Sequence, residues 1–228
     1  MNRYRKYASK MIHDRYLSAR ISMFESFPYG ELLLNFSREC NHITEMTLSP
    51  INNKLSFTWC MLYGLHQSRD NYESIYGKEL HKKFTSFSID RFHSELLYLK
   101  DLSNYSDIEC ETFRLKKDTK IENTDMLFIY VDSRSSNTNT DTKIHNDILI
   151  QLNNNKDLVK KYIIIYDLNF NDDIDYTIKN KGVQSASIEF LQNNHDWSLL
   201  KGNNTEFRFT VMKRLENDLD LDNSKLAF

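Results

Sequence analysis

Apolar residues recur along this chain with two periods. Between residues 3 and 24, Tyr4, Tyr7, Met11, Ile12, Tyr16 and Leu17 gather on one side at helical spacing. "PYGELLLNFSREC" (28–40) predicts a second helix, entered through Pro28 and Gly30. "ITEMTL" (43–48) predicts a buried strand, and "LSFTWCMLYGLHQ" (55–67) a helix with Gly64 near its end. "KKFTSFSID" (82–90) alternates as a strand ending in Asp90, and 91–102 is helical with Phe92, Leu96, Leu97 and Leu99 toward the core. "IECETFRLKKDT" (108–119) predicts a strand running to Asp118, and "TDMLFIYVD" (124–132) is the strongest apolar strand. A helix over 143–158 leads to a buried strand in 160–173, ending at Asp167. The last third predicts a helix over 185–194 and an antiparallel hairpin from 196–202 and 206–215. Five strands alternating with helices predict a Rossmann-like three-layer α/β/α fold around a mostly parallel sheet. The polar runs 133–142 and 169–182 follow strand carboxyl ends, the edge where open α/β sheets bind ligands.

Composition narrows this picture only slightly. The chain has 228 residues, enough for one sizeable domain, and a net charge of −2 that gives no push toward nucleic acid. Only 5 glycines and 2 prolines occur, far below typical shares of about 7% and 5%. With plentiful Asn, Lys and Ile, this is the residue usage of an AT-rich genome, viral or microbial. Cys40, Cys60 and Cys110 lie far apart and suggest buried reduced thiols rather than a disulfide framework. No apolar run approaches the roughly 18 residues of a membrane span, and the basic N-terminus lacks the apolar core of a signal peptide. The expected location is therefore the cytoplasm. Arg3, Arg5, Lys6, Lys10, Arg15 and Arg20 make the first helix basic. That is a solvated face or, on a sharper reading, an arm touching a partner or an RNA backbone.

Acids punctuate the strands. Glu45 lies in the first, Asp90 ends the second, Asp118 ends the third and Asp125 opens the fourth. Asp132 follows the fourth strand's apolar core, and Asp167 ends the fifth. A carboxylate at the second tip can accept from a ribose diol, and one at the third from an adenine amino group. The bland alternative for each is a cap on the following helix.

On these strings ("ECNHITEM", "SFTWCMLYGL", "TDMLFIY", "KKYIIIYD", "SIEFLQNNHDWSLL", "FTVMKRL") the chain resembles class I S-adenosylmethionine-dependent methyltransferases over residues 36–214. The O-methyltransferase and cephalosporin-hydroxylase-like branch is the most similar. The resemblance implies seven strands in the order 3-2-1-4-5-7-6. It also implies an N-terminal helical extension over 1–35, the Rossmann domain over 36–215 and an acidic tail over 216–228. By position it implies that Glu45, Asp90 and Asp118 would contact S-adenosylmethionine. Active members carry "FID" and, three residues later, a His; the Asp is a metal ligand in metal-dependent relatives and the His a candidate base. Tyr130 and Ser133 stand at those positions here, and Tyr166 replaces the His that precedes Asp167.

The departures continue in the first motif. Glycines there let the backbone approach the cofactor and supply positive φ. This chain has "TLSPINNKLS" instead, with Thr47 and Leu48 where small residues stand and Pro50 fixing φ, although Asn52 and Asn53 tolerate a left-handed turn. A Mg²⁺ site needs converging carboxylates, and only Asp132 and Asp167 are candidates, as ligands or to orient an acceptor. Asp132 has the parity of Tyr130 along the strand. The expectation is a methyltransferase-fold protein without cofactor or metal, acting as a binding or scaffold subunit with a protein partner or a second copy of itself. The alternatives are an active O-methyltransferase, using S-adenosylmethionine on a sugar or small-molecule hydroxyl, and an RNA-binding module.

Overall fold

The computed structural model describes residues 3–22, 27–48, 55–78, 80–89, 108–131, 138–167, 181–201 and 209–215. The loop with Pro50, Asn52 and Asn53, the acids Asp90 and Asp132, Ser133, the helix predicted over 91–102 and the acidic tail lie outside the described residues. In chain order the elements are α1 (Arg3–Ser22), α2 (Phe27–Arg38), β1 (His42–Thr47), α3 (Leu55–Tyr76), β2 (Lys82–Ser88) and β3 (Ile108–Arg114). There follow β4 (Thr124–Val131), α4 (Thr138–Asn155), a 3₁₀ turn (Lys156–Leu158), β5 (Val159–Asp167), α5 (Lys181–Asn193), β6 (Trp197–Lys201) and β7 (Phe209–Arg214).

The strands form one sheet in the order β3-β2-β1-β4-β5-β7-β6. Pairing is parallel from β3 through β5, and β7 runs antiparallel to both β5 and β6. The order is the one the sequence resemblance implied.

Strand parity splits the core in two. Ile43, Phe84, Met126, Phe128, Tyr130, Ile164, Tyr166 and Phe209 join Ala8, Ile12, Leu33, Trp59 and Leu62 from the α1–α3 layer. Met46, Phe87, Leu127, Ile129, Ile163, Ile165 and Met212 meet Ile148 and Leu152 of α4 and Val183, Ala186 and Phe190 of α5. Every residue of β4 is buried, as its unbroken apolar run requires of a central parallel strand. The three cysteines are buried and unpaired, and burial pushes each thiol up to about 12.

Several boundaries differ from the sequence reading, and two of the differences have a visible physical cause. The helix α3 continues nine residues past Gln67, to Tyr76. Its second half carries little apolar periodicity and is held by polar side chains: Arg69 reaches Asp70 at 2.6 Å and approaches Glu73 at 3.8 Å, one turn on. The stop is Gly77, at φ +64°, whose N–H donates to the Glu73 carbonyl at 2.9 Å. Gly64 has a different role. A Cβ there would sit 2.6 Å from Ser37 Cβ and 2.7 Å from the Leu34 carbonyl oxygen, so α2 and α3 cross at a distance only glycine permits. The second difference is β3, which ends at Arg114, so Asp118 does not end a strand. Residues 116–119 form a turn closed by Lys116 N–H on Thr119 Oγ1 (2.7 Å) and Thr119 N–H on the Lys116 carbonyl (3.2 Å).

The amino edge of the sheet is stitched by polar groups. Asp125 Oδ2 accepts from the backbone N–H of Asn41 (2.6 Å) and of His42 (3.2 Å). Lys82 is 1% exposed and donates to the Cys40 carbonyl (2.6 Å), Asn41 Oδ1 (2.9 Å) and Ser68 Oγ (2.9 Å). Burial pulls its ammonium down from 10.5 to about 8.

Gly64→Ala is expected to lower stability by about 1–3 kcal/mol in chemical denaturation, because the contacts it meets include backbone. Lys82 gives the stability a pH dependence. The unfolded chain holds its proton up to 10.5 while the folded chain releases it near 8, so stability rises with pH from about 8. The thiols act oppositely: unfolded they ionise near 9, folded near 12, so stability falls above 9. Urea midpoints measured across pH 7.5–10.5 should therefore pass through a maximum near 9, and Lys82→Met should remove the rising limb.

Candidate functional site: the carboxyl edge of the sheet

The register aligns one residue from each of five strands at the carboxyl edge. Ser88 pairs with Thr47, Thr47 with Tyr130, Tyr130 with Tyr166, and Tyr166 with Phe209. All five share the parity of the α1–α3 face, and none is more than 2% exposed. The Leu48 N–H donates to the Tyr130 carbonyl at 3.0 Å, extending the β1–β4 ladder one residue past the strand.

Aromatic rings fill the β4, β5 and β7 part of this row. Phe57, in the first turn of α3, lies 4.3 Å from the Tyr166 ring and 6.0 Å from Phe128. Tyr29, at the entry of α2, stacks on Phe209 at 5.3 Å and meets Tyr166 at 6.0 Å. Tyr130 and Tyr166 are themselves 6.0 Å apart. Tyr130 and Tyr166, at the positions where the sequence resemblance implies an Asp and a His, thus face the α1–α3 layer as core rings.

One row deeper lies Glu45, paired with Ser86 of β2 and Phe128 of β4 and fully buried. Thr58 Oγ1 donates to Glu45 Oε1 at 2.7 Å, and Ser86 Oγ donates to Oε2 at 2.8 Å. Each carboxylate oxygen therefore has a hydroxyl from this chain. Thr58 lies in the first turn of α3, where the helix dipole favours a negative charge.

The remaining sequence candidates do not converge on this row. Asp167 is fully buried, but its parity is that of Ile163 and Ile165, on the α4–α5 side, opposite to Tyr166. Asp118 is exposed in the 116–119 turn, whose carbonyls accept from α4: Gln151 reaches Lys116 and Lys117, and Asn155 reaches Thr119. Asp125 belongs to the opposite edge of the sheet. Asp90 and Asp132 lie outside the described residues. Among the described residues, no three His, Cys, Asp or Glu side chains group so as to hold a metal ion. No described helix is long and apolar enough to cross a membrane.

Sequence reasoning located Glu45 but missed its partners Thr58 and Ser86, and it missed Phe57, Tyr29 and Phe209 as the rings around Tyr166. The period of two in "KKFTSFS" put Ser86 and Ser88 on one face with Phe84, which was the available signal.

No protein-family model matches the sequence, and no curated protein matches it significantly. Among solved structures, the chain is similar to the S-adenosylhomocysteine-bound methyltransferase PaMTH1 of Podospora anserina, at 10% identity and a TM-score of 0.47, over 90% of this chain and 88% of that one. It is similar also to the magnesium protoporphyrin IX methyltransferase of Synechocystis PCC 6803, at 9% identity and a TM-score of 0.47, over 92% and 94% of the two chains. Matches this distant add nothing on chemistry. The strand order with its antiparallel last pair makes the assignment: the chain has the class I S-adenosylmethionine-dependent methyltransferase fold.

Proposed function

We propose that this is a methyltransferase-fold protein without methyl transfer, serving as a binding or scaffold subunit. The supporting observation is the buried row Ser88–Thr47–Tyr130–Tyr166–Phe209, with Phe57 packed on Tyr166 and Tyr29 on Phe209. Methyl transfer needs donor and acceptor held in line within contact distance, and its rate comes mainly from that positioning. Here side chains occupy the row beside the first-motif turn. A phenol packed among rings stands where the family's His would precede Asp167, and each Glu45 oxygen accepts a hydroxyl from within the chain. These observations support the reading that this edge takes no sulfonium donor, and no step is derived through one. The partner is a protein or a second copy of this chain.

The test is a titration of the full chain with S-adenosylmethionine and S-adenosylhomocysteine, followed by calorimetry and by melting temperature. A ligand bound at about 10 μM would, at about 1 mM, stabilise the fold by about 2.7 kcal/mol and raise the melting point by about 5 °C or more. The expected result is no heat and no shift. Saturable micromolar binding would sink the proposal and restore the O-methyltransferase reading, with Glu45 and Asp90 as its cofactor acids. Glu45→Ala is expected to cost about 2–4 kcal/mol without any ligand, since two buried hydroxyls lose their acceptor. An unchanged urea midpoint would show that Glu45 is not the structural tie described above.

A further inference from the structure

A second concave surface lies on the helical layer, away from the carboxyl edge. It is an open groove of about 480 Å³ formed where α1, α2 and the second half of α3 meet. Position along the sheet follows from the chain path. The helix α3 descends from the carboxyl end of β1 to the amino end of β2, and Ser68 touches Lys82 at the start of β2. The groove therefore sits over the amino edge, and its occupation is independent of whether the carboxyl edge holds a cofactor.

Its charges are unequal in how they are satisfied. Asp70, the one carboxylate among the described lining residues, is paired from within the protein by Arg69, which also approaches Glu73 at 3.8 Å. The buried Arg69 donates to its Oδ1 through Nη2 (2.6 Å) and Nε (3.2 Å). His66, also buried, places Nε2 3.3 Å from Oδ2. Arg69 Nη2 lies 3.2 Å from His66 Nδ1. An arginine can only donate, so Nδ1 accepts and Nε2 carries the hydrogen toward Asp70.

Arg38 is the opposite case. Its guanidinium is exposed at the end of α2 and held by neutral amides: Nε and Nη2 donate to Gln67 Oε1 (2.9 and 2.6 Å), and Nη1 donates to Asn35 Oδ1 (2.8 Å). Of the five N–H donors of a guanidinium, three are used and two remain. Both Arg38–Gln67 bonds fall on the oxygen of Gln67, which turns that side chain's NH₂ group away from the guanidinium. Asn71, one turn further along α3, adds a second amide to the lining. The apolar wall is the half-buried ring of Tyr63, stacked on Tyr16 at 4.4 Å and met by His13 at 5.4 Å. A fixed cation, spare N–H donors and an aromatic wall make a receptor for an oxyanion carried on a small apolar group.

We propose that this groove binds the phosphate or carboxylate group of a small molecule, with Arg38 as the anchoring cation and Tyr63 as the wall for the group that bears it. The guanidinium fork accepts either anion, so the probes separate them: phenyl phosphate, benzoate and, as a neutral control, phenol. Each is titrated into the full chain by calorimetry, with the side-chain NH₂ signals of Gln67 and Asn71 followed by NMR. The expected result is saturable binding of one or both anions, shifts at Gln67 and Asn71, weakening as salt rises from about 0.05 to 0.5 M, and no comparable binding of phenol. The tighter anion identifies the natural group. Arg38→Gln should lower that affinity about tenfold or more, as expected for loss of a charge-assisted bond. Arg38→Lys, which keeps the charge without the fork, should fall between and carries the test if Arg38→Gln does not fold. The proposal is overturned if neither anion binds at about 10 mM, if phenol binds as well as the anions, or if both variants bind with unchanged affinity.

Discussion

A carboxylate buried at the centre of the sheet cannot stay ionised and unpartnered, because transfer of a bare charge from water costs several kcal/mol even after relaxation. Glu45 meets this constraint with two hydroxyls, one from α3 and one from β2. The consequence is positional. Thr58 must lie above β1, which sets where α3 begins, and Ser86 must lie level with Glu45, which matches the β1–β2 register. Phe57, next to Thr58, is then directed at Tyr166, and the ring cluster of the carboxyl edge follows. One short side-chain network thus links β1, its neighbour β2, the following helix and the carboxyl edge of the sheet.

The fold was largely legible from pattern. The apolar runs of β4 and β5 and the alternation of β2 could be read directly, because central parallel strands are buried on both faces and leave little room for polar interruptions. Helix ends were harder. Gly64 looks like a stop in "MLYGLHQ", since glycine so often ends helices. It is instead the place where α2 leans on α3, and that cause lies in a partner helix rather than in local sequence. The true stop, Gly77, comes after a polar stretch in which Arg69 approaches Glu73 one turn on. Asp118 misled in a similar way: "KKDT" ends an alternating run, but Thr119 closes a turn there and the strand stops earlier.

The site was legible in half. That Glu45 sits in the first strand is visible from its apolar neighbours. That each of its oxygens accepts a hydroxyl is not, because the partners are 13 and 41 residues away and only the folded register brings them to it. The aromatic row has the same origin. Tyr130, Tyr166 and Phe209 belong to strands adjacent in the sheet but separated in sequence, and Phe209 arrives through an antiparallel strand that crosses back beside β5. The Arg38 groove left no trace in sequence, since its residues come from three helices and none belongs to a recognisable motif.

The three thiols carry a further implication. Cys40 sits between α2 and β1, Cys60 in α3, and Cys110 in β3. Each is buried and kept protonated by its surroundings, so an alkylating reagent meets no thiolate in the closed molecule. Modification must wait for a local opening, and the three positions sample different parts of the architecture. The native protein therefore contains its own set of three chemical clocks, each timing how often its own region comes apart.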